Sequence, residues 1–202
     1  MNKPYILILY ASSTGNTKKM AEILQRGVMM MSGIDVYLRT VPSVTQIKEG
    51  VKENSHGAPF ATIEELAGAC GLAVGSPTHF SNMASGLQYF IEQTSAIWYQ
   101  GGMVDKPFTV FTSTGSMHGG QETTLINMMT PLLHHGMINV GVPYTVPEVQ
   151  STQTGGGPYG ASHLSGGESG RNIDENEYAI LLAQGKRLAK VALAMSAFNN
   201  MR

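Results

Sequence analysis

The sequence predicts an α/β fold: a doubly wound, five-stranded parallel sheet with helices on both faces. Short apolar runs of strand length alternate along the chain with longer segments of helical periodicity, and this alternation is typical of parallel βαβ units. The chain has 202 residues, enough for one continuous core. No internal repeat or linker separates two cores, so we expect a single domain over residues 1–202.

The first strand, turn and helix have the clearest pattern. Tyr5–Tyr10 is a continuous apolar run, as expected of a central strand covered on both faces. After a polar turn, apolar and small residues recur at helical spacing and predict an amphipathic helix, with Met20, Ile23, Leu24, Gly27, Val28 and Met31 on its buried face.

The later elements follow the same alternation. Strands are predicted over residues 34–41, 70–75, 108–112 and 138–142, and helices over residues 62–66, 86–94 and 122–134. Asp174 and Glu177 resemble a capping box and predict the start of a last helix. Between these elements, residues from about 147 to 172 are rich in Gly, Ser, Thr and Pro and predict a long loop, which in a compact domain is usually functional or disordered.

Composition excludes several classes of function. The formal net charge is −1 and 13% of residues are charged, which leaves no basic face for nucleic acid. Cys70 is the single cysteine; it lies in a run of small and apolar residues and is predicted to be structural. No metal site is predicted, because the histidines are not spaced with cysteines or carboxylates as ligands. No apolar run approaches the roughly 20 residues of a membrane span, so a cytoplasmic protein is expected.

A polar turn between the first strand and helix is a candidate phosphate site. Residues 12–17 read Ser-Ser-Thr-Gly-Asn-Thr and include neither Lys nor Arg. Hydroxyl groups and the free amides at a helix start bind phosphate, which the helix dipole also favours. The alternative is that Asn16 and Thr17 only cap the helix. A P-loop is excluded, since no Gly-Lys-Ser/Thr follows at the required spacing.

Two more polar loops follow the third and fourth predicted strands, over residues 76–83 and 113–121. Ligands of open α/β sheets bind at the carboxyl edge, where all three loops should meet. Together they predict a phosphate-bearing heteroaromatic ligand. The run from Gly155 to Gly160 also fits G-x-G-x-x-G, but it neither follows a strand nor opens a helix, so we discount it as a dinucleotide motif.

Motifs spread from residue 5 to about residue 190 resemble the WrbA-type NAD(P)H:quinone oxidoreductases. Residues 12–17 resemble the flavodoxin phosphate loop, of the Ser/Thr-x-Thr-Gly-x-Thr kind. The more specific similarity lies in residues 77–83, 111–115, 119–122, 134–137 and 158–161, and in Gly166 with Gly167. The resemblance implies a flavodoxin-like fold, FMN as cofactor, NADH or NADPH as electron donor, a quinone as acceptor and a homotetramer.

The resemblance also implies which residues hold FMN, with its phosphate, ribityl and isoalloxazine groups at the first, second and third loops. The cofactor-binding residues expected on this basis are Ser12, Ser13, Thr14, Gly15, Asn16, Thr17, Pro77, Thr78, His79, Phe80, Ser113, Thr114, Gly115, Ser116, Met117, His118 and Gly119. His134 is expected at the flavin as well, as the catalytic hydrogen-bond donor to a quinone oxygen. Trp98 is expected beside the substrate pocket.

Both of these assignments have structural alternatives. A histidine at a helix C-terminus can serve stability alone, and the single tryptophan could simply be part of the core. Three departures from the family pattern leave the choice between NADH and NADPH open: Thr14 replaces a usual aromatic, His79 replaces a common arginine, and the segment from Ser116 to His118 is one residue longer.

We therefore expect two-electron reduction of quinones. No separate dinucleotide domain is evident, so donor and acceptor must take turns at one flavin face, which is a ping-pong mechanism. One alternative is a one-electron carrier, although carriers of this kind use an acidic docking face that a net charge of −1 does not favour. The other alternative is a non-catalytic regulatory flavoprotein.

Overall fold

The structure is a computed structural model that describes residues 3–55, 57–166 and 170–199. Its strands are β1 (Tyr5–Tyr10), β2 (Asp35–Thr40), β3 (Gly71–Pro77), β4 (Pro107–Thr114), β5 (Ile138–Asn139) and β6 (Ala161–Leu164). Its helices are α1 (Asn16–Met29), α2 (Val44–Lys48), α3 (Ile63–Gly68), α4 (Ser85–Glu92), α5 (Ser95–Tyr99), α6 (Gln121–His134), α7 (Pro147–Ser151) and α8 (Glu175–Asn199).

All strands belong to one parallel sheet in the order β2-β1-β3-β4-β5. Helices α1 and α8 cover one face with a core that includes Leu24 and Leu188, and helices α4 and α6 cover the other with a core that includes Leu87 and Met128. The predicted doubly wound α/β fold is confirmed. The strand order reverses between β1 and β3, and such a switch point is where open α/β sheets bind ligands.

The fifth position of the sheet differs from the prediction because two strands share it. β5 pairs with Pro107 and Phe108 at the start of β4, whereas β6 pairs with the end of the same strand, from Phe111 to Thr114. The predicted strand over residues 138–142 is therefore shorter, and the sheet contains six strands among the described residues. Residues 147–172 contain α7 and β6 as well as loop, and residues 167–169 of that range lie outside the described residues. β6 was missed because a strand of four residues gives almost no periodicity.

Gln184 of α8 fills the gap between β5 and β6. Its side chain is fully buried; Nε2 donates to the carbonyl of Val110 at 2.8 Å and to Oγ1 of Thr109, and Oε1 accepts from the amide of Ala161 at 3.0 Å. Gln184 thus replaces the ladder hydrogen bonds that a continuous fifth strand would make with β4.

We expect Gln184→Ala to lower the free energy of unfolding by about 2–5 kcal/mol, because it leaves a buried amide and a buried carbonyl without partners. Urea unfolding followed by circular dichroism measures this change. Gln88→Ala is the matched control, since Gln88 is exposed on α4 and its side chain bonds, among the described residues, with the exposed Glu92. A loss below about 1 kcal/mol for Gln184→Ala would contradict the bridging role.

Helices α1 and α8 cross at two glycines. A Cβ on Gly27 would lie 2.3 Å from the carbonyl oxygen of Leu182, and one on Gly185 would lie 2.2 Å from the carbonyl oxygen of Leu24.

The predicted capping box is also present: Asp174 accepts from the amide of Glu177 at 2.9 Å, and Glu177 accepts from the amide of Asp174 at 3.0 Å. The close crossing and the cap fix α8 against the sheet.

Cys70 precedes β3 and donates from Sγ to the carbonyl of Tyr5 at 3.2 Å. Burial raises the pKa of this thiol, which disfavours the reactive thiolate and agrees with a structural role.

Among the described residues, no helix is long and apolar enough to cross a membrane.

Candidate functional site

Three polar loops meet at the carboxyl edge of the sheet, as the sequence predicts. We call them the first loop (residues 12–17), the second loop (residues 77–83) and the third loop (residues 113–120), after β1, β3 and β4 respectively. The hydroxyls of Thr17 and Ser113 lie 3.0 Å apart and join the first loop to the third. The amide of Thr78 donates to the carbonyl of Ser113 at 2.8 Å and joins the second to the third.

The first loop has the donors that a phosphate requires. Ser12 Oγ accepts from the amides of Gly15 (3.1 Å) and Lys18 (3.3 Å), which folds the turn over the start of α1. Gly15 stands at the N-cap with φ +91° and provides no side-chain cap. Four amides of this turn form no hydrogen bond with any other described residue: those of Ser13, Thr14, Asn16 and Thr17.

These observations weaken the simple capping interpretation. Asn16 lies inside the helix, and the buried hydroxyl of Thr17 bonds with Ser113 rather than with a helix amide. The first turn of α1 also contains no acidic residue that would neutralise the dipole. The loop therefore suits an anion, and the phosphate of FMN fits its chemistry.

The second loop is a tight two-residue turn. His79 and Asn82 exchange backbone hydrogen bonds at 2.8 Å and 3.0 Å, and the central residues Phe80 and Ser81 have φ of +51° and +64°. Positive φ at both central positions is the type I′ pattern, for which Asn and Gly are the usual residues. The Phe80 side chain at the tip is completely exposed, so this turn presents an aromatic ring at the edge of the site.

The third loop is fixed at its base and exposed at its tip. The carbonyl of Thr114 accepts from both the amide and the hydroxyl of Ser165, each at 2.8 Å. Gln121 Nε2 donates to the carbonyl of Met117 at 2.9 Å. The exposed residues are Gly115, Ser116, Met117 and His118. Sequence reasoning missed Ser165 and the supporting role of Gln121, because the strand that brings Ser165 to Thr114 had no recognisable pattern.

His134 and Trp98 lie together but away from the loops of their own chain. Trp98 Nε1 donates to the carbonyl of His134 at 3.1 Å, and the two rings are 5.6 Å apart at 32°. His134 ends α6, whose 14 residues span about 21 Å from the third loop toward the amino edge of the sheet. One chain alone therefore does not bring these two residues to its three loops, and their expected place at the flavin pocket stays a prediction.

The adjacent histidines of α6 have different surroundings. Thr94 Oγ1 donates to the carbonyl of Ile91 at 2.6 Å, so it accepts from Nε2 of His135 at 2.8 Å. This leaves Nδ1 of His135 buried, with no partner among the described residues. Burial, with a contribution from the neighbouring His134, lowers the pKa of His135. His135 is thus partly buried and bonded to Thr94, whereas His134 is exposed and available to a ligand.

The fold and the three loops define a flavodoxin-like protein. The chain belongs to the NADPH-dependent FMN reductase family, whose sequence profile matches residues 4–150. It is 42% identical over 204 residues to an NAD(P)H dehydrogenase (quinone) of Trichlorobacter lovleyi, covering 95% of this chain and 98% of the relative.

Solved structures agree on the fold. A WrbA-like flavodoxin from Agrobacterium tumefaciens superposes with a TM-score of 0.68 at 19% identity, covering 95% of this chain and 98% of that one. A flavodoxin from the domain Archaea superposes with a TM-score of 0.63 at 17% identity, covering 94% and 99% of the two chains. At these identities the likeness supports the flavodoxin-like fold alone.

Proposed function

We propose that this chain is a cytoplasmic, FMN-dependent NAD(P)H:quinone oxidoreductase that reduces quinones by two electrons in a ping-pong cycle. The observation that carries the proposal is the set of three joined loops, with free amides at the start of α1 and an exposed aromatic turn beside them. The 42% identity to an NAD(P)H dehydrogenase (quinone) supports the reaction class.

In this proposal the first loop binds the phosphate of FMN through its free amides and the hydroxyls of Ser12, Ser13, Thr14 and Thr17. The second and third loops hold the ribityl chain and the ring system, with Phe80 and the exposed tip at Gly115 in contact with the ring. FMN held there would supply the redox chemistry, taking two electrons as hydride from NADH or NADPH and delivering two electrons to the quinone. The protein's own part is to fix the cofactor, to admit planar substrates in turn and to donate a hydrogen bond to the acceptor oxygen.

The pair of Trp98 and His134 completes this site only if it comes from another subunit. Trp98 is 47% exposed and His134 is also exposed, so both are accessible to a neighbouring copy. Other large apolar side chains are exposed nearby in sequence, on α5 and α6: Tyr99, Ile126 and Leu133. Exposed apolar surface of this kind marks association sites. We therefore propose a closed homotetramer in which Trp98 and His134 of one subunit face the three loops of another.

Light scattering after size exclusion is expected to show a tetramer at micromolar concentration. The pocket is incomplete in one chain, so activity should depend on assembly. Leu133→Glu, on the exposed face of α6, should dissociate the assembly and lower quinone reduction in parallel. Lys190→Glu is the control, because Lys190 is exposed on α8. A fully active monomer would remove the tetramer from the proposal.

The visible spectrum of the purified protein tests the function. We expect bound FMN whose absorption is bleached by NADH or NADPH alone under anaerobic conditions and restored by benzoquinone. Double-reciprocal plots should show parallel lines, since donor and acceptor use one site in turn. If neither nicotinamide bleaches the flavin and a one-electron-reduced spectrum accumulates on titration, the protein is a carrier instead. Absence of bound flavin would favour a regulatory role.

A further inference from the structure

The turn of the second loop adopts a backbone conformation that its own residues disfavour. Phe80 and Ser81 both have positive φ, which is unfavourable for residues with a Cβ atom. Two such residues in sequence persist only where the surrounding structure holds them, and such strain concentrates at functional sites. Contacts from outside the turn must therefore hold it in place.

Helix α6 supplies these contacts. Asn127 Nδ2 donates to the carbonyl of Ser81 at 2.7 Å and to Oδ1 of Asn82 at 3.1 Å. At the N-terminus of α6, Gly120 lies directly against the turn: a Cβ there would be 2.5 Å from Oγ of Ser81 and 3.2 Å from its Cα. The turn is therefore bonded to one side chain of α6 and packed against the glycine that begins the helix.

We propose that Asn127 is a positioning residue for the flavin site: it holds the strained turn so that Phe80 is presented to FMN in a fixed orientation. Asn127 lies in the second turn of α6 and was not among the residues expected to bind the cofactor. This inference rests on the proposed placement of FMN at the second loop. Its physical basis is preorganisation, since a turn already held in the bound conformation loses less entropy on binding.

The proposal makes a specific prediction about Ser81. Glycine adopts positive φ without a Cβ penalty and is a preferred residue in type I′ turns. In a Ser81→Gly background the turn should form without support from α6. The substitution Asn127→Ala should therefore weaken FMN binding much less in that background. A purely structural role of Asn127 in α6 would instead cost the same in either background, because additivity holds for independent sites.

The experiment compares four proteins: the wild type, Asn127→Ala, Ser81→Gly and the double variant. The dissociation constant of FMN is measured by quenching of flavin fluorescence on titration with apoprotein, and the visible circular dichroism of bound FMN reports the surroundings of the ring. Thr130→Ala is the matched control on α6, because Thr130 is exposed and, within the described part of the chain, its hydroxyl bonds to the carbonyl of Ile126 in the same helix. Melting temperatures of the apoproteins show whether each variant folds.

We expect Asn127→Ala to weaken FMN binding by about tenfold, the usual effect of losing one or two neutral hydrogen bonds, and to change the visible circular dichroism. Ser81→Gly should bind at least as well as the wild type and should limit the effect of Asn127→Ala to about threefold or less. An equal loss in both backgrounds, or no loss at all, would overturn the positioning role. A wild type that binds no FMN would overturn the proposed function and this inference together, whereas normal wild-type binding that is insensitive to Asn127 would overturn the inference alone.

Discussion

Replacing His134 with alanine is expected to lower kcat/KM for benzoquinone by about 10²–10³-fold, the usual cost of losing one donor to a developing negative charge. His134 is exposed at the end of α6 and its ring lies beside that of Trp98. His134 makes no side-chain hydrogen bond with another described residue that would couple it to the fold. The variant should therefore keep its melting temperature and most of its FMN. Steady-state kinetics measure kcat/KM, the ratio of flavin to protein absorbance measures the FMN content, and thermal unfolding measures the melting temperature.

His135→Ala separates catalysis from folding at the same helix end. His135 is partly buried and bonded to Thr94, so its removal should lower stability rather than specifically slow the reaction of folded protein. Unchanged turnover of His134→Ala with weaker flavin binding would reassign His134 to the cofactor.

Mixing subunits tests whether His134 acts on a neighbour. If it does, mixing the His134→Ala protein with a second protein that cannot bind FMN should recover activity in mixed assemblies, because the wild-type His134 of the second protein can face the intact loops of the first. If His134 acts within its own chain, mixing restores nothing.

The double variant Thr14→Val/Thr17→Val is expected to weaken FMN binding by about a hundredfold or more, since each hydrogen bond to a charged phosphate is worth about 1.5–3 kcal/mol. Fluorescence titration of the apoprotein with FMN measures the change. Thr130→Val is a matched control with the same chemical substitution on an exposed helix face. A loss below tenfold would count against the first loop as the phosphate site.

Thr17 needs one further control. Its hydroxyl is buried and bonds with Ser113, so Thr17→Val also removes a link between the first and third loops. Thermal unfolding of the apoprotein separates the two effects: a stable apoprotein with weak FMN binding supports phosphate recognition. Ser113→Ala removes the same link from the other side and should cost less affinity than the double variant.

The sequence by itself determined the class of fold and where its ligand edge lies. Apolar runs such as Tyr5–Tyr10 and helical stripes such as that of α1 are local patterns, and their alternation is enough to imply a parallel sheet. The meeting of the three loops also followed from sequence, because the carboxyl ends of parallel strands lie at one edge. The capping box of Asp174 and Glu177 was equally predictable, since its two members are three residues apart.

Only the tertiary structure decided the features that depend on distant parts of the chain. The division of the fifth strand depends on Gln184, which replaces ladder hydrogen bonds from a helix more than 70 residues away from Thr109 and Val110 in sequence. The separation of His134 from the loops follows from the direction and length of α6, which a motif does not convey. The link from Asn127 to the turn at Ser81 spans 46 residues. Local periodicity reports which face of an element is buried, whereas the partner that a single polar side chain meets is set by how the elements pack.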